Sequence, residues 1–132
     1  MLELNAQHIH MHQVAADKPA ALALLGEVLV ADGLVAPGYL DGLRAREAQG
    51  STFLGQGIAI PHGTPQTRDQ VLRTGVSLIQ FPDGVDWGNG QQVYLAIAIV
   101  ASRALTHPLM SINLAVQQFA RERRTRPRSE ER

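Results

Sequence analysis

Leu95-Ala96-Ile97-Ala98-Ile99-Val100 is the stretch on which the fold turns. Six consecutive apolar residues leave no polar side for solvent, so the segment suits a central strand covered by helices on both faces. Working outward, Gln92–Val100, Thr74–Phe81 and Gly57–Ile60 are the strand candidates. Pro82-Asp83-Gly84 reads as a turn, and with Gly88-Asn89-Gly90 it brackets a brief Val85–Trp87 segment. Upstream, His8-Ile9-His10-Met11-His12 alternates polar and apolar side chains as a half-buried strand does. Asp17 reads as the N-cap of a helix with Pro19 in its first turn, Ala21, Leu24, Leu25 and Val28 at helical spacing, and Gly33 as the stop. Pro37 opens a second helix with Tyr39, Leu40 and Leu43 as its apolar stripe, which Gly42 weakens. Gln49 to Gly55 reads as loop, and a last helix begins at Pro108, with Leu109, Ile112, Val116 and Phe119 on one side. Helices interleaved with strands predict an α/β chain: a single mixed β-sheet flanked by helices on both faces.

The 132 residues fit one domain, taken as residues 1–120, followed by an Arg-rich tail over 121–132 with no apolar anchor. The tail holds six of the twelve Lys and Arg and three of the twelve Asp and Glu. The body therefore carries six basic against nine acidic residues, a poor balance for non-specific nucleic-acid binding. Cysteine is absent, which excludes a thiolate nucleophile or thiolate metal site. No stretch approaches the ~20 apolar residues that a membrane helix needs, so membrane insertion is not expected.

Chemistry concentrates at Gly57-Ile58-Ala59-Ile60-Pro61-His62-Gly63. Pro61 cannot donate to a ladder, so the strand ends there and presents His62 at the sheet's end. Gly63 permits a tight turn that brings main-chain N–H groups towards whatever the imidazole carries. Imidazole is the side chain that changes charge near neutrality, and so serves as nucleophile or base; a plain loop histidine is the competing reading. Arg46, near the end of the second helix, can reach an anion held at His62 or simply complement the helix dipole. His107 follows the most apolar strand, and two parallel neighbouring strands ending in His62 and His107 would bring both imidazoles to one sheet edge.

Other constellations are weaker. His8, His10 and His12 on one strand face have a donor set that zinc accepts, but no further ligand is evident and an exposed edge explains them. Asp83 and Asp86 resemble a carboxylate pair, yet turn chemistry accounts for Asp83. Lys18, the single lysine, lies in no Gly-x-x-x-x-Gly-Lys loop, and there is no Gly-x-Ser-x-Gly or His-Glu-x-x-His pattern. The acids form no magnesium-binding cluster, so nucleotide-dependent catalysis is not expected, and no metal or cofactor is assigned.

Ser51 to Pro65, around the Pro-His-Gly block, closely resembles the phosphorylation site of the IIA component of the bacterial phosphotransferase system, mannitol/fructose class. Arg73-Thr74-Gly75-Val76 and Phe81 to Gly88 resemble the next strands of that family, most closely its fructose branch. The resemblance runs from the N-terminus to about His107. It implies a cytoplasmic phosphocarrier in which His62 accepts phosphate from phospho-HPr and passes it to a cysteine on the IIB component of a sugar permease. Arg46 and His107 match the family's active-site arginine and second histidine, with Arg46 and the N–H groups of Gly63 and Thr64 neutralising phosphoryl oxygens. The family continues past the helix matching Leu109–Phe119, where this chain turns Arg-rich, so the domain reads as C-terminally shortened. The nitrogen-related regulatory branch shares the Pro-His-Gly block and is the alternative, together with a non-catalytic truncated remnant.

Overall fold

The computed structural model describes residues 5–101. Five strands form one sheet: β1 (Ile9–His10), β2 (Phe53–Gly55), β3 (Ile58–Ala59), β4 (Gly75–Gly88) and β5 (Gln91–Val100). Their order is β1-β4-β5-β3-β2. β1 runs parallel to β4 and β3 parallel to β5, whereas β4 with β5 and β2 with β3 are antiparallel. The sheet is therefore mixed, and the apolar run that begins at Leu95 lies at its centre. Among the described residues the α-helices are α1 (Lys18–Ala31) and α2 (Tyr39–Gln49).

Local sequence explains the helix ends. The Asp17 carboxylate accepts the Ala20 N–H at 3.0 Å and caps α1, an interaction worth about 1 kcal/mol. Gly33, at φ +76°, turns the chain out of α1 as expected. Leu22, Leu25 and Leu29 of α1 and Leu43 of α2 pack against Ile79, Phe81, Ala96 and Ala98. Each fully buried side chain of this size contributes about 1.5–3 kcal/mol. Val76, Leu78, Leu95 and Ile97 form a second buried cluster, with Ile9, Ile58, Ile60 and Ile99 against it. The helix expected over Leu109–Phe119 lies outside the described residues, as do His107 and the 121–132 tail.

Three details differ from the sequence expectation. Pro82-Asp83-Gly84 does not separate two strands. β4 continues through it as a bulge, advancing five positions from Gln80 to Val85 while β5 advances two from Leu95 to Val93. A bulge tolerates a residue without an N–H. Second, β2 occupies part of the stretch expected to be loop, and Gly57 is not strand but turn. Gly55 pairs with Ile58, leaving Gln56 and Gly57 at φ +53° and +78° as a two-residue hairpin turn. Third, the histidine triplet does not share a strand face. β1 stops at His10, His12 has φ +59°, and the His10 Nε2 lies 2.9 Å from Asp32 Oδ2.

Gly42 also has another meaning than a weak helix position. A Cβ there would run into Oγ1 of Thr67 and come within 2.7 Å of its Cγ2. The missing side chain lets the 3-10 helix Pro65–Gln70, just beyond His62, lie against α2. Gly42→Ala should thus lose stability, by about 1–3 kcal/mol from overpacking, where helix propensity alone would favour it by up to about 1 kcal/mol. Urea denaturation decides the sign.

Candidate active site

His62 is placed by short backbone links. The Ile60 N–H donates to the Thr52 carbonyl at 3.0 Å, which ties the end of β3 to the start of the β2 hairpin. Pro61 then breaks the ladder, and the ring folds back so that His62 Nδ1 lies 2.9 Å from the Ile60 carbonyl oxygen. A carbonyl oxygen only accepts, so Nδ1 carries the proton and Nε2 keeps its lone pair in the neutral ring. The Arg46 Nε–H donates to that Nε2 at 3.2 Å.

Arg46 stands between the end of α2 and the imidazole. Its Nη1 donates to the Gly50 carbonyl at the C-terminal end of α2, at 2.8 Å, while Nε faces the imidazole. The fork of the guanidinium makes that double engagement possible. His62 is half-buried, as is Arg46. The strands that lead to His62 and towards His107 are parallel neighbours, with Ile58 beside Leu95 and Ala59 beside Ala96. β5 ends at Val100, and His107 lies outside the described residues.

The amides of Gly63 and Thr64 are not free in this structure. Gly63 N–H donates to the Tyr39 hydroxyl at 3.0 Å, and Thr64 N–H to Thr67 Oγ1 at 3.1 Å. Service to an anion on His62 requires those hydroxyls to give way. A Cβ on Gly63 would stand 2.7 Å from Thr67 Oγ1 and 2.8 Å from the Tyr39 ring. Gly63 thus serves close approach. Burial raises the Tyr39 phenol above its usual range, partly offset by the Gly63 N–H and the Arg68 charge, so it remains a neutral O–H at physiological pH. Sequence reasoning did not single out Tyr39 for the site; its place two residues after Pro37, in the first turn of α2, gave no polar signal.

Beside Arg46 stands Glu47, buried and likewise not singled out. Its carboxylate takes Lys18 Nζ at 2.7 Å, Thr52 N–H at 2.9 Å, Thr52 Oγ1 at 2.6 Å and Trp87 Nε1 at 3.2 Å. The Lys18 ammonium also lies over the Trp87 ring, 5.4 Å from its centroid. Burial pushes the Glu47 carboxyl up, but the bonds from Lys18 and Thr52 and the Lys18 charge outweigh it, so the net shift is downward. The unfolded chain then holds a proton on Glu47 at higher pH than the folded chain, and stability rises with pH across that interval. The contribution is complete above the unfolded value of about 4.5 and lost as pH falls through the lower folded value. Acid titration of the unfolding midpoint should show this loss, and Glu47→Gln should remove that part of the slope. An unchanged slope in the variant would refute it.

Among the described residues no group of three or more His, Cys, Asp or Glu is placed to hold a metal. What the site offers is a neutral imidazole lone pair, a cation within hydrogen-bond reach of it, and an opposite ring nitrogen anchored by a carbonyl.

The sequence profile of the phosphoenolpyruvate-dependent sugar phosphotransferase system EIIA 2 family matches residues 3–121. The chain belongs to this family. As a IIA domain it falls among phosphotransferases that work through a phosphohistidine. This IIA chain is 52% identical to a multiphosphoryl transfer protein of Escherichia coli O157:H7 over 125 residues, covering 89% of the chain and 33% of the relative. It thus spans about a third of that relative's length. The mannitol-specific IIA component of Geobacillus stearothermophilus is 44% identical over 96 residues, covering 73% of this chain and 66% of that protein. In the complex of IIA mannitol with phosphorylated IIB mannitol from Escherichia coli, the matching chain is 35% identical with a TM-score of 0.79. That match covers 89% of this IIA domain and 83% of its counterpart. The crystal structure of the Escherichia coli IIA mannitol agrees at 37% identity and a TM-score of 0.76, covering 85% and 79%.

Proposed function

We propose that the chain is a phosphocarrier that accepts phosphate from phospho-HPr on His62 and hands it to a IIB cysteine for fructose-type sugar uptake in the cytoplasm. The observation that carries this reading is the imidazole held between two partners: Nδ1–H on the Ile60 carbonyl and Nε2 facing Arg46. Attack through Nε2 forms the N–P bond as the bond from phosphorus to the donor's ring nitrogen breaks. The ring gains positive charge in that step, and the Nδ1–H bond to Ile60 strengthens accordingly. Arg46 releases the lone pair and turns its N–H groups to the phosphoryl oxygens, which gather negative charge. Gly63 and Thr64 join by exchanging hydroxyl partners for those oxygens. His107, the second histidine of the resemblance, donates a hydrogen bond to the transferred group.

Family membership supports the reaction class, and a solved relative in complex with phosphorylated IIB mannitol supports the acceptor. Similarity to multiphosphoryl transfer proteins supports HPr as donor. The fructose branch rests on the resemblance of Phe81 to Gly88. No helix among the described residues is long and apolar enough to cross a membrane.

The test is incubation of the full chain with phosphoenolpyruvate, enzyme I and HPr carrying labelled phosphate, with His62→Ala beside it. Acid-labile label on the wild type and none on the variant is the expected result; label surviving in the variant contradicts it. Onward transfer to a fructose IIB in preference to a mannitol IIB is expected, and the reverse preference removes the fructose assignment.

A further inference from the structure

Two routes connect the buried Glu47 carboxylate to the two nitrogens of the His62 ring. The first is a hydrogen-bonded path. Glu47 accepts Thr52 N–H and O–H at 2.9 and 2.6 Å. The Thr52 carbonyl accepts Ile60 N–H at 3.0 Å, and the Ile60 carbonyl takes His62 Nδ1 at 2.9 Å. The second runs through the chain itself, because Glu47 directly follows Arg46, whose guanidinium faces Nε2. Lys18 and Trp87 fix the carboxylate from α1 and β4.

We infer that Glu47 is a positioning residue for phosphoryl transfer: it sets the tautomer and tilt of the His62 imidazole and the reach of Arg46, without touching the phosphoryl group. The inference rests on the carrier reading above. Its chemical basis is a count of donors. Thr52 N–H, Thr52 O–H, Trp87 N–H and the Lys18 ammonium all converge on Glu47. A carboxylate with two oxygens satisfies all four, whereas a Gln amide has one oxygen and turns two further donors into the cluster. Glu47→Gln therefore forces Thr52 to move, and the Thr52 carbonyl carries the end of β3 with it. Displacement of a reacting group by about 1 Å costs up to about 100-fold in rate.

The experiment uses the full chain as wild type, Glu47→Gln, Thr52→Val and Thr52→Ser. One readout is the rate of label uptake from phospho-HPr, separated into the saturating rate and the half-saturating donor concentration. The other is the 15N spectrum of the His62 ring without phosphate. Expected for Glu47→Gln is a saturating rate lower by about 10- to 100-fold with half-saturation changed less than about threefold. Its ring spectrum should show a mixture of tautomers where the wild type shows Nδ1–H. Thr52→Val should move both readouts in the same direction, and Thr52→Ser, which keeps the hydroxyl, should restore them. Folded variants with reduced melting temperature but wild-type rate and wild-type ring spectrum would overturn the inference. If Glu47→Gln does not fold, Thr52→Val against Thr52→Ser decides by the same two readouts. A wild type that takes no label sinks the carrier reading instead, and unchanged ring spectra in the variants then sink the positioning role separately.

Discussion

Arg46→Ala is expected to slow phosphate uptake on His62 by about 100- to 1,000-fold, the range seen when one preorganised donor to a developing anion is removed. The guanidinium is the cation placed against the reacting nitrogen, and its other arm on Gly50 holds it there while Nε–H turns from the ring to the phosphoryl oxygens. Arg46→Lys should recover only part of the loss. An ammonium is a single point charge and lacks the fork that spans Gly50 and the imidazole together. Initial rates with labelled phospho-HPr measure the effect, and a rate within about threefold of wild type for Arg46→Ala would remove Arg46 from the transfer step. Circular dichroism on the same samples separates this from loss of α2, whose C-cap residue, Gly50, Arg46 also holds.

Glu47→Ala carries the largest expected effect on stability, a loss of about 3–5 kcal/mol, as when one partner of a buried ion pair is deleted. The substitution leaves Thr52 N–H, Thr52 O–H and Trp87 Nε1 without their acceptor in the interior. It also strips Lys18 of its carboxylate, although the ammonium keeps the Trp87 face and some contact with water. Urea midpoints followed by circular dichroism test this; a change below about 1 kcal/mol would mean the cluster relaxes or admits water at little cost. Trp87 is the single tryptophan, so its fluorescence reports the cluster independently of global unfolding.

What could be read from the chain depended on how local each signal was. The N-cap at Asp17, the stop at Gly33, the strand from Gln92 and the placement of His62 after Pro61 all follow from a few adjacent residues, and the structure has them. Arg46 was legible as a candidate because charge near a helix end is local too, yet only the fold shows that it reaches Nε2. Long-range meanings were hidden. Gly42 looked like a defect because its neighbour, Thr67, is 25 positions away in sequence. Glu47 and Trp87 sit 40 positions apart, so nothing in either one's surroundings announced a buried cluster. Pro82-Asp83-Gly84 carries a turn signal in sequence because bulge and turn use the same residues; only pairing with β5 distinguishes them. The β2 hairpin was missed because a strand of three residues leaves no periodicity to detect.

The most direct test of the central claim is the ring nitrogen that takes the phosphate. Chain labelled with 15N-histidine and phosphorylated through HPr should show phosphorus coupled to Nε2 of His62, with Nδ1 still protonated. Phosphorus on Nδ1, or on any other residue, would contradict the geometry from which the whole account is built.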